Sequence, residues 1–421
     1  RDGAMPGMYP GGSDKLVPDF ALQWVFSILD YYAFADDAGL LRDLYPNVRN
    51  LLGWFGRFVN DDGLLSEVPG WLFIDWADLD KRGDVTALNC LYFQAIRVAG
   101  MIAAVLGKEN EAEQYMESAN RVRLAINKHL YAPKRGLYAE CRVDGKLVEK
   151  FSGQTNILAA LFDIPDHYQR STIVRHILNG SLPELSTPYF TSHMLEVLYA
   201  GDFHEDALSV IRRKWGDMIR AGATTFWEFF NQDGSLCHGW SAGPVRGLIA
   251  EYVGIKPVLG SHRFSITPHT GDLKWARGSV NTRTGPLKVE WRIVRNVMTI
   301  VVDVPQGLKV DVYPPCPPDY NISVDGKSHP VRFVTLGSGA HQVKVTPGRP
   351  AKPAPEDASL KPMPIQHVEI LGDLMTRGRR RMGLTSTRRT DRVGRSSSRV
   401  KSDTPSDTDM AAEQVAPDVE I

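Results

Sequence analysis

The chain has 421 residues, 43% hydrophobic and 23% charged, with 49 basic and 49 acidic side chains and a formal net charge of zero. That is enough apolar material for one large core plus a smaller one, while neutrality argues against nucleic acid as a partner and no run of eighteen apolar residues is present to make a membrane partner. The four cysteines (Cys90, Cys141, Cys237, Cys316) stand far apart without metal-ligand spacing, so neither a zinc site nor a disulfide framework is expected.

After a turn-rich opening, helical periodicity begins near Pro18. Leu41, Leu44, Tyr45, Val48, Leu51, Leu52, Phe55 and Phe58 recur at the three-and-four spacing of a half-buried helix. Leu88 to Leu106 and Tyr115 to His129 repeat that pattern, and further runs fall at 152–163, 167–179, 188–200, 203–214 and 241–253. About nine amphipathic helices result, largely in antiparallel pairs joined by short loops, with longer irregular segments at 60–83, 131–151 and 215–240. Helix hairpins packed side by side bring their ends and long loops to one cleft.

Near Gly260 the period changes to two. Leu287, Val289 and Trp291 alternate with Lys288, Glu290 and Arg292, and Met298 to Val304, Leu308 to Val312, Val343 and Val345 continue the alternation. Short alternating runs bounded by Gly, Pro and Asn predict antiparallel strands in a small β-sandwich. From Gly348 the chain turns Pro-rich, then Arg/Ser-rich, a composition with too little apolar material to offset the entropy of ordering. The expected organisation is a helical domain over 1–259, a β-sandwich over 260–347 and a disordered tail over 348–421.

One stretch stands apart as a candidate for chemistry. Glu228 is the single acidic side chain in the run Phe226-Trp227-Glu228-Phe229-Phe230, preceded by small residues and threonines and followed by Gly234, His238 and Trp240. A carboxylate in such surroundings must be paired, hydrogen-bonded or partly protonated, the conditions under which enzymes make an acid or a base. A buried glutamate tied to backbone amides is the competing reading of the same residues. Asp75 and Trp76 end the apolar run Trp71-Leu72-Phe73-Ile74, an arrangement suited to delivering a carboxylate and an indole to a sugar-binding wall, or else a core tryptophan beside a capping Asp. Asp19 either caps the helix after Pro18 or points into the cleft. Trp24, Phe190 and Trp227 are weaker aromatic candidates.

The motif Gly-Ala-Thr-Thr-x-Trp-Glu (Gly222 to Glu228), followed by Ser-x-x-His-x-Trp (Ser235 to Trp240), resembles the catalytic loop of the alpha-L-rhamnosidases of glycoside hydrolase family 78. Asp2 to Pro10, Gly70 to Trp76, Gln154 to Asn156 and Thr187 to Phe190 resemble family landmarks in family order, so the likeness runs from the first residue to about Pro347. It implies an (alpha/alpha)6 toroid of the six-hairpin glycosidase type followed by a C-terminal sandwich. It also implies inverting hydrolysis, with Glu228 as general base, Asp75, Trp76, His238 and Trp240 lining the sugar pocket, and a rhamnose-containing glycoside as the partner. The family's general acid precedes the landmark at Asp2 to Pro6, so the chain is expected to be N-terminally incomplete, with Asp75 the fallback acid. The reaction needs two carboxyl groups and implies no cofactor and no metal. A catalytically inactive carbohydrate-binding protein, or another inverting glycosidase or a lyase on the same barrel, are the alternative readings.

Overall fold

A computed structural model describes residues 3–7, 14–317 and 320–348. The expected disordered tail beyond Gly348, and Asp2 and Met8 to Pro10 of the first landmark, lie outside these.

Eight helices come first: α1 (Pro18–Ala35), α2 (Ala38–Gly56), α3 (Thr86–Val105), α4 (Glu109–His129), α5 (Gly153–Leu161), α6 (His167–Leu178), α7 (Pro188–Ala200) and α8 (His204–Arg220). Their starts follow from local chemistry. Pro18 opens α1 at a position where a missing N–H costs nothing. Ser152 and Thr187 cap α5 and α7 by accepting the amides of Thr155 and Phe190, and Asp166 with Gln169 forms a reciprocal capping box on α6. The α1–α2 turn pivots on Asp36 in the left-handed region and Asp37, whose carboxylate accepts from Gly39 and Leu40.

Helix α3 is the hub, packed against α1, α2, α4 and α5. Its length and apolarity would suffice to cross a bilayer, but 89% of that window is buried inside the protein, so the apolar character is that of a core helix. Around it Leu22, Leu29, Leu41, Phe55, Ile102 and Ile126 are fully or nearly fully buried, each contributing about 1.5–3 kcal/mol relative to exposure.

The segment 131–151, expected to be irregular, instead contains four short strands: β2 (Tyr131–Ala132) pairs with β3 (Leu137–Tyr138), and β4 (Cys141–Val143) pairs with β5 (Lys146–Leu147) and with β1 (Asp84–Val85), which precedes α3. Strands of two or three residues are too short to display a period. Helix α8 runs to Arg220 rather than ending near 214. The ninth helix, expected over 241–253, is divided into a 3-10 turn (Gly239–Ala242), α9 (Gly243–Gly247) and a π-helical segment (Leu248–Val253). Three glycines and Pro244 within nine residues remove the regular i→i+4 preference there.

The first sandwich strand precedes the expected change of period near Gly260. Strands β6 (Ile255–Val258), β7 (Arg263–Ile266), β11 (Lys309–Val312) and β14 (Val334–Leu336) make one sheet in the order β14-β11-β7-β6. The other is β13-β12-β15-β10-β9-β8, from β8 (Trp275–Thr282), β9 (Gly285–Val294), β10 (Val297–Val304), β12 (Tyr320–Val324), β13 (Lys327–His329) and β15 (Gly339–Pro347). Ile300 faces Trp291 on one side and Val343 on the other, so the alternating apolar set of each strand falls on one inner face. Arg295 and Asn296, both left-handed, make the tight β9–β10 hairpin. One pair, β7 with β11, is parallel where antiparallel pairing was expected, because the chain crosses the other sheet between them. The Trp291 indole donates to the Tyr252 carbonyl at 2.7 Å, tying the sandwich to the π-helical segment.

Candidate active site

The Glu228 loop is a tight hairpin. The Glu228 amide donates to the Ser235 carbonyl at 2.8 Å and the His238 amide to the Phe226 carbonyl at 2.7 Å, while the Thr225 hydroxyl bonds the Leu236 carbonyl. Gly234, at φ +142°, closes the turn; a Cβ there would stand 2.9 Å from Glu228 Oε2 and 2.9 Å from the Phe229 ring. The base of the hairpin is held from below. The Ser241 hydroxyl donates to the Trp227 carbonyl at 2.5 Å, and the Trp215 indole donates to the Ser241 carbonyl at 2.9 Å.

This anchoring leaves the Glu228 carboxylate on an accessible face, its side chain 15% exposed. Oε2 accepts the Ser235 amide at 3.0 Å and Oε1 accepts the Trp76 indole N–H at 2.9 Å, with His238 Nδ1 3.7 Å from Oε2. The Ser235 amide holds the carboxyl below its ordinary range, partial burial works against this, and the Trp76 indole and His238 add to the lowering. The group is therefore an ionised carboxylate at neutral pH.

Trp76 reaches Glu228 because the loop before it is rigidly built. Phe73 and Ile74 donate their amides to Asp19 at 3.1 and 3.0 Å, and the Asp75 amide turns back to the Phe73 carbonyl at 2.7 Å. The residue inside that turn, Ile74, has φ +56°, a strained state for a β-branched side chain. Asp75, 1% exposed, accepts the Gln154 amide at 2.8 Å, the Thr187 hydroxyl at 2.8 Å and the Trp76 backbone N–H at 2.9 Å. Asp19, Gln154 and Thr187 stand at the N-termini of α1, α5 and α7, where the helix dipoles favour negative charge. Burial raises the carboxyl pKa of both Asp19 and Asp75, against which these hydrogen bonds pull.

Aromatic rings surround the carboxylate. The Trp240 ring lies nearly parallel to Tyr189 at 5.2 Å and to Phe73 at 5.9 Å, and His238 packs on it at 4.2 Å. The Trp240 indole donates to the Glu228 carbonyl at 3.2 Å. Trp76, 45% exposed, sits against Phe73 and Trp71.

Of the sequence candidates, Glu228, Trp76, His238 and Trp240 come together on this face. Asp19 and Asp75 are the buried struts behind it; Asp75, with three donors and no accessible edge, is not available as an acid. Phe190 is 1% exposed and Trp227 is 5% exposed, so both are core; Phe190 packs edge-on against the neighbouring Tyr189 ring at 5.1 Å. Trp24 packs partly buried against the helical core, about 140° around α1 from Asp19. Sequence reasoning passed over Tyr189, whose hydroxyl donates to Gln23 at 2.8 Å, although it lies within the Thr187–Phe190 landmark. Cavities of about 610 and 740 Å³ lie elsewhere, beside Phe34 and Arg283 and beside Arg212 and Asp272. The one group of possible metal ligands among the described residues, Asp202, His204 and His269, shares no member with this face.

Residues 1–253 match the bacterial alpha-L-rhamnosidase 6 hairpin glycosidase domain, and residues 254–329 match the bacterial alpha-L-rhamnosidase C-terminal domain. An alpha-L-rhamnosidase of Alteromonas sp. (strain LOR) is 22% identical over 348 residues, 75% of this chain and 36% of the relative. Among solved structures, the GH78 family rhamnosidase of Bacillus sp. GL1 is 27% identical with a TM-score of 0.69, covering 73% of this chain and 34% of that one. The Streptomyces avermitilis alpha-L-rhamnosidase complexed with L-rhamnose is 19% identical with a TM-score of 0.65, covering 82% and 35%. These likenesses establish the six-hairpin helical fold with an appended β-domain. The chain spans about a third of the length of these relatives.

Proposed function

The chain belongs to the bacterial alpha-L-rhamnosidase family, glycoside hydrolase family 78, and from that premise we propose that it carries the base half of an inverting site that releases terminal alpha-L-rhamnose. The observation that carries this reading is an ionised carboxylate, Glu228, steadied by an amide and an indole N–H at 3.0 and 2.9 Å on an accessible aromatic face.

Glu228 accepts a proton from a water molecule as that water attacks the anomeric carbon from the side opposite the leaving group. A second carboxyl protonates the departing oxygen, and inversion asks for roughly 6.5–9.5 Å between the two so that water fits. Asp75 is excluded from that role by its burial and its three donors. Trp76 and Trp240 offer ring faces to the apolar side of the deoxysugar, and His238 offers a ring nitrogen to a sugar hydroxyl.

The test is Glu228→Gln in a form of the protein that turns over aryl alpha-L-rhamnosides. Turnover falls by about 10²–10⁴-fold while rhamnose binding, followed by titration calorimetry, is kept. Equal loss of binding and turnover contradicts the base role; a loss confined to binding makes Glu228 a sugar ligand only.

A further inference from the structure

Away from the Glu228 face, the junction between helical body and sandwich gathers two histidines and two carboxylates. Asp202 lies in the α7–α8 turn, His204 opens α8, Glu251 stands on the π-helical segment, and His269 lies in the loop after β7. These four residues come from three separate stretches and have no metal-like spacing in the sequence, apart from Asp202-x-His204. The His204 and His269 rings stack at 3.6 Å with 17° between their planes.

Glu251 orients both rings. His204 Nε2 is 3.1 Å from Glu251 Oε2, and His269 Nδ1 is 3.4 Å from the Glu251 carbonyl oxygen and 3.6 Å from Oε2. The His269 backbone N–H also donates to that carbonyl at 2.9 Å. Lys256 Nζ also contacts Oε2, at 2.6 Å. Each ring directs one nitrogen at Glu251 and leaves its second nitrogen for another partner. One ligand atom from each of Asp202, His204 and His269 lies within 4.8 Å of the others.

A histidine–glutamate–lysine cluster alone would account for His204, Glu251 and Lys256. It does not involve Asp202, whose carboxylate lies beside both imidazoles. A hydrogen-bonded carboxylate fixing the tautomer and orientation of ligating histidines is the usual outer shell of a metal site. Two imidazoles and a carboxylate suit a borderline divalent ion such as zinc, with water completing the sphere. Bonds of about 2.1 Å put tetrahedral ligands about 3.4 Å apart. Closing from within 4.8 Å takes a movement of the exposed Asp202 side chain and a swing of one imidazole out of the stack, because rings 3.6 Å apart at 17° aim their in-plane lone pairs side by side. π-helical segments, such as the one that carries Glu251, recur at functional sites.

We propose that Asp202, His204 and His269 bind one divalent first-row transition-metal ion, zinc foremost, which clips the α7–α8 turn to the first sheet of the sandwich. The site is structural and separate from the rhamnose reading, since it shares no residue with the Glu228 face.

The test is equilibrium dialysis of the metal-stripped full chain against zinc, with bound metal counted by mass spectrometry. Asp202→Asn keeps a residue that tolerates the left-handed backbone, His269→Gln removes a half-buried ligand, and His167→Gln, at an exposed histidine on α6, is the control. The parent and the control are expected to take up one zinc per chain, and each ligand variant to bind at least about tenfold more weakly. Zinc raises the unfolding midpoint of parent and control and leaves that of the ligand variants nearly unmoved. Failure of the parent to take up zinc overturns the assignment, and so does equal uptake by parent and ligand variants.

Discussion

Replacing Asp19 by alanine tests how the site is held. Its carboxylate is fully buried and accepts two backbone amides, from Phe73 and Ile74, at 3.1 and 3.0 Å. Alanine leaves both amides buried without acceptors, each at a cost of about 1–3 kcal/mol. Two contributions offset part of this: a carboxylate whose burial raises its pKa no longer has to be desolvated, and the left-handed turn at Ile74 is free to relax. A net loss of about 2–4 kcal/mol follows, a large share of the 5–15 kcal/mol typical of folded domains. In urea, with an m-value of about 2–3 kcal/mol per molar, the midpoint falls by about 1 M. Asp19→Asn keeps one acceptor and is expected to lose about half as much. The sign of the pH effect is also set. A folded carboxyl with a raised pKa holds its proton more tightly than the unfolded one, so its contribution to stability declines as pH rises from the ordinary aspartate value through the raised one. That component is absent from Asp19→Asn. Midpoints for Asp19→Ala within about 0.2 M of the parent would refute the strut argument.

Two further predictions concern the carboxylate itself. Trp76→Phe removes the indole donor at 2.9 Å and costs about 1 kcal/mol at this accessible site, hence roughly fivefold in kcat/KM. Because that donor lowers the Glu228 pKa, the acidic limb of the pH–rate profile moves to higher pH in the variant; an unmoved limb separates the indole from the titration. Gly234→Ala places a methyl 2.9 Å from Glu228 Oε2 and demands φ +142° of an L-residue, so kcat falls at least tenfold and the strained backbone lowers stability by about 1 kcal/mol. Lowered stability with turnover kept would mean that the hairpin is a folding element first.

Much of this was legible in the chain. Helices α1 to α7 fall where three-and-four apolar spacing predicts them, because each buries one face or, like α3, nearly all faces. The two-residue strands near 131–147 and the broken ninth helix were not legible: the former are too short for a period, and the latter's glycines interrupt one. At the site, Glu228 was recognisable as a charge among rings, and Trp76, His238 and Trp240 as companions. Which neighbour turns inward was not readable. Trp227 beside Glu228 and Phe190 beside Tyr189 have side chains of similar hydrophobicity to real wall residues, and only the backbone decides which of each adjacent pair reaches the surface. Asp19 and Asp75 each read as a cap or a cleft carboxylate, and apart from the Trp76 amide their partners lie 54 to 112 residues away, a relationship no local pattern carries.

The central claim is that Glu228 removes a proton from water, and chemical rescue tests it most directly. In Glu228→Ala, azide attacks the anomeric carbon without needing deprotonation, while the leaving oxygen still takes its proton from the second carboxyl. Hydrolysis falls by about 10²–10⁴-fold, and added azide is expected to restore aglycone release with formation of a rhamnosyl azide of inverted configuration. Undiminished hydrolysis by the variant, or a loss that azide leaves unchanged with rhamnose binding intact, would contradict the account.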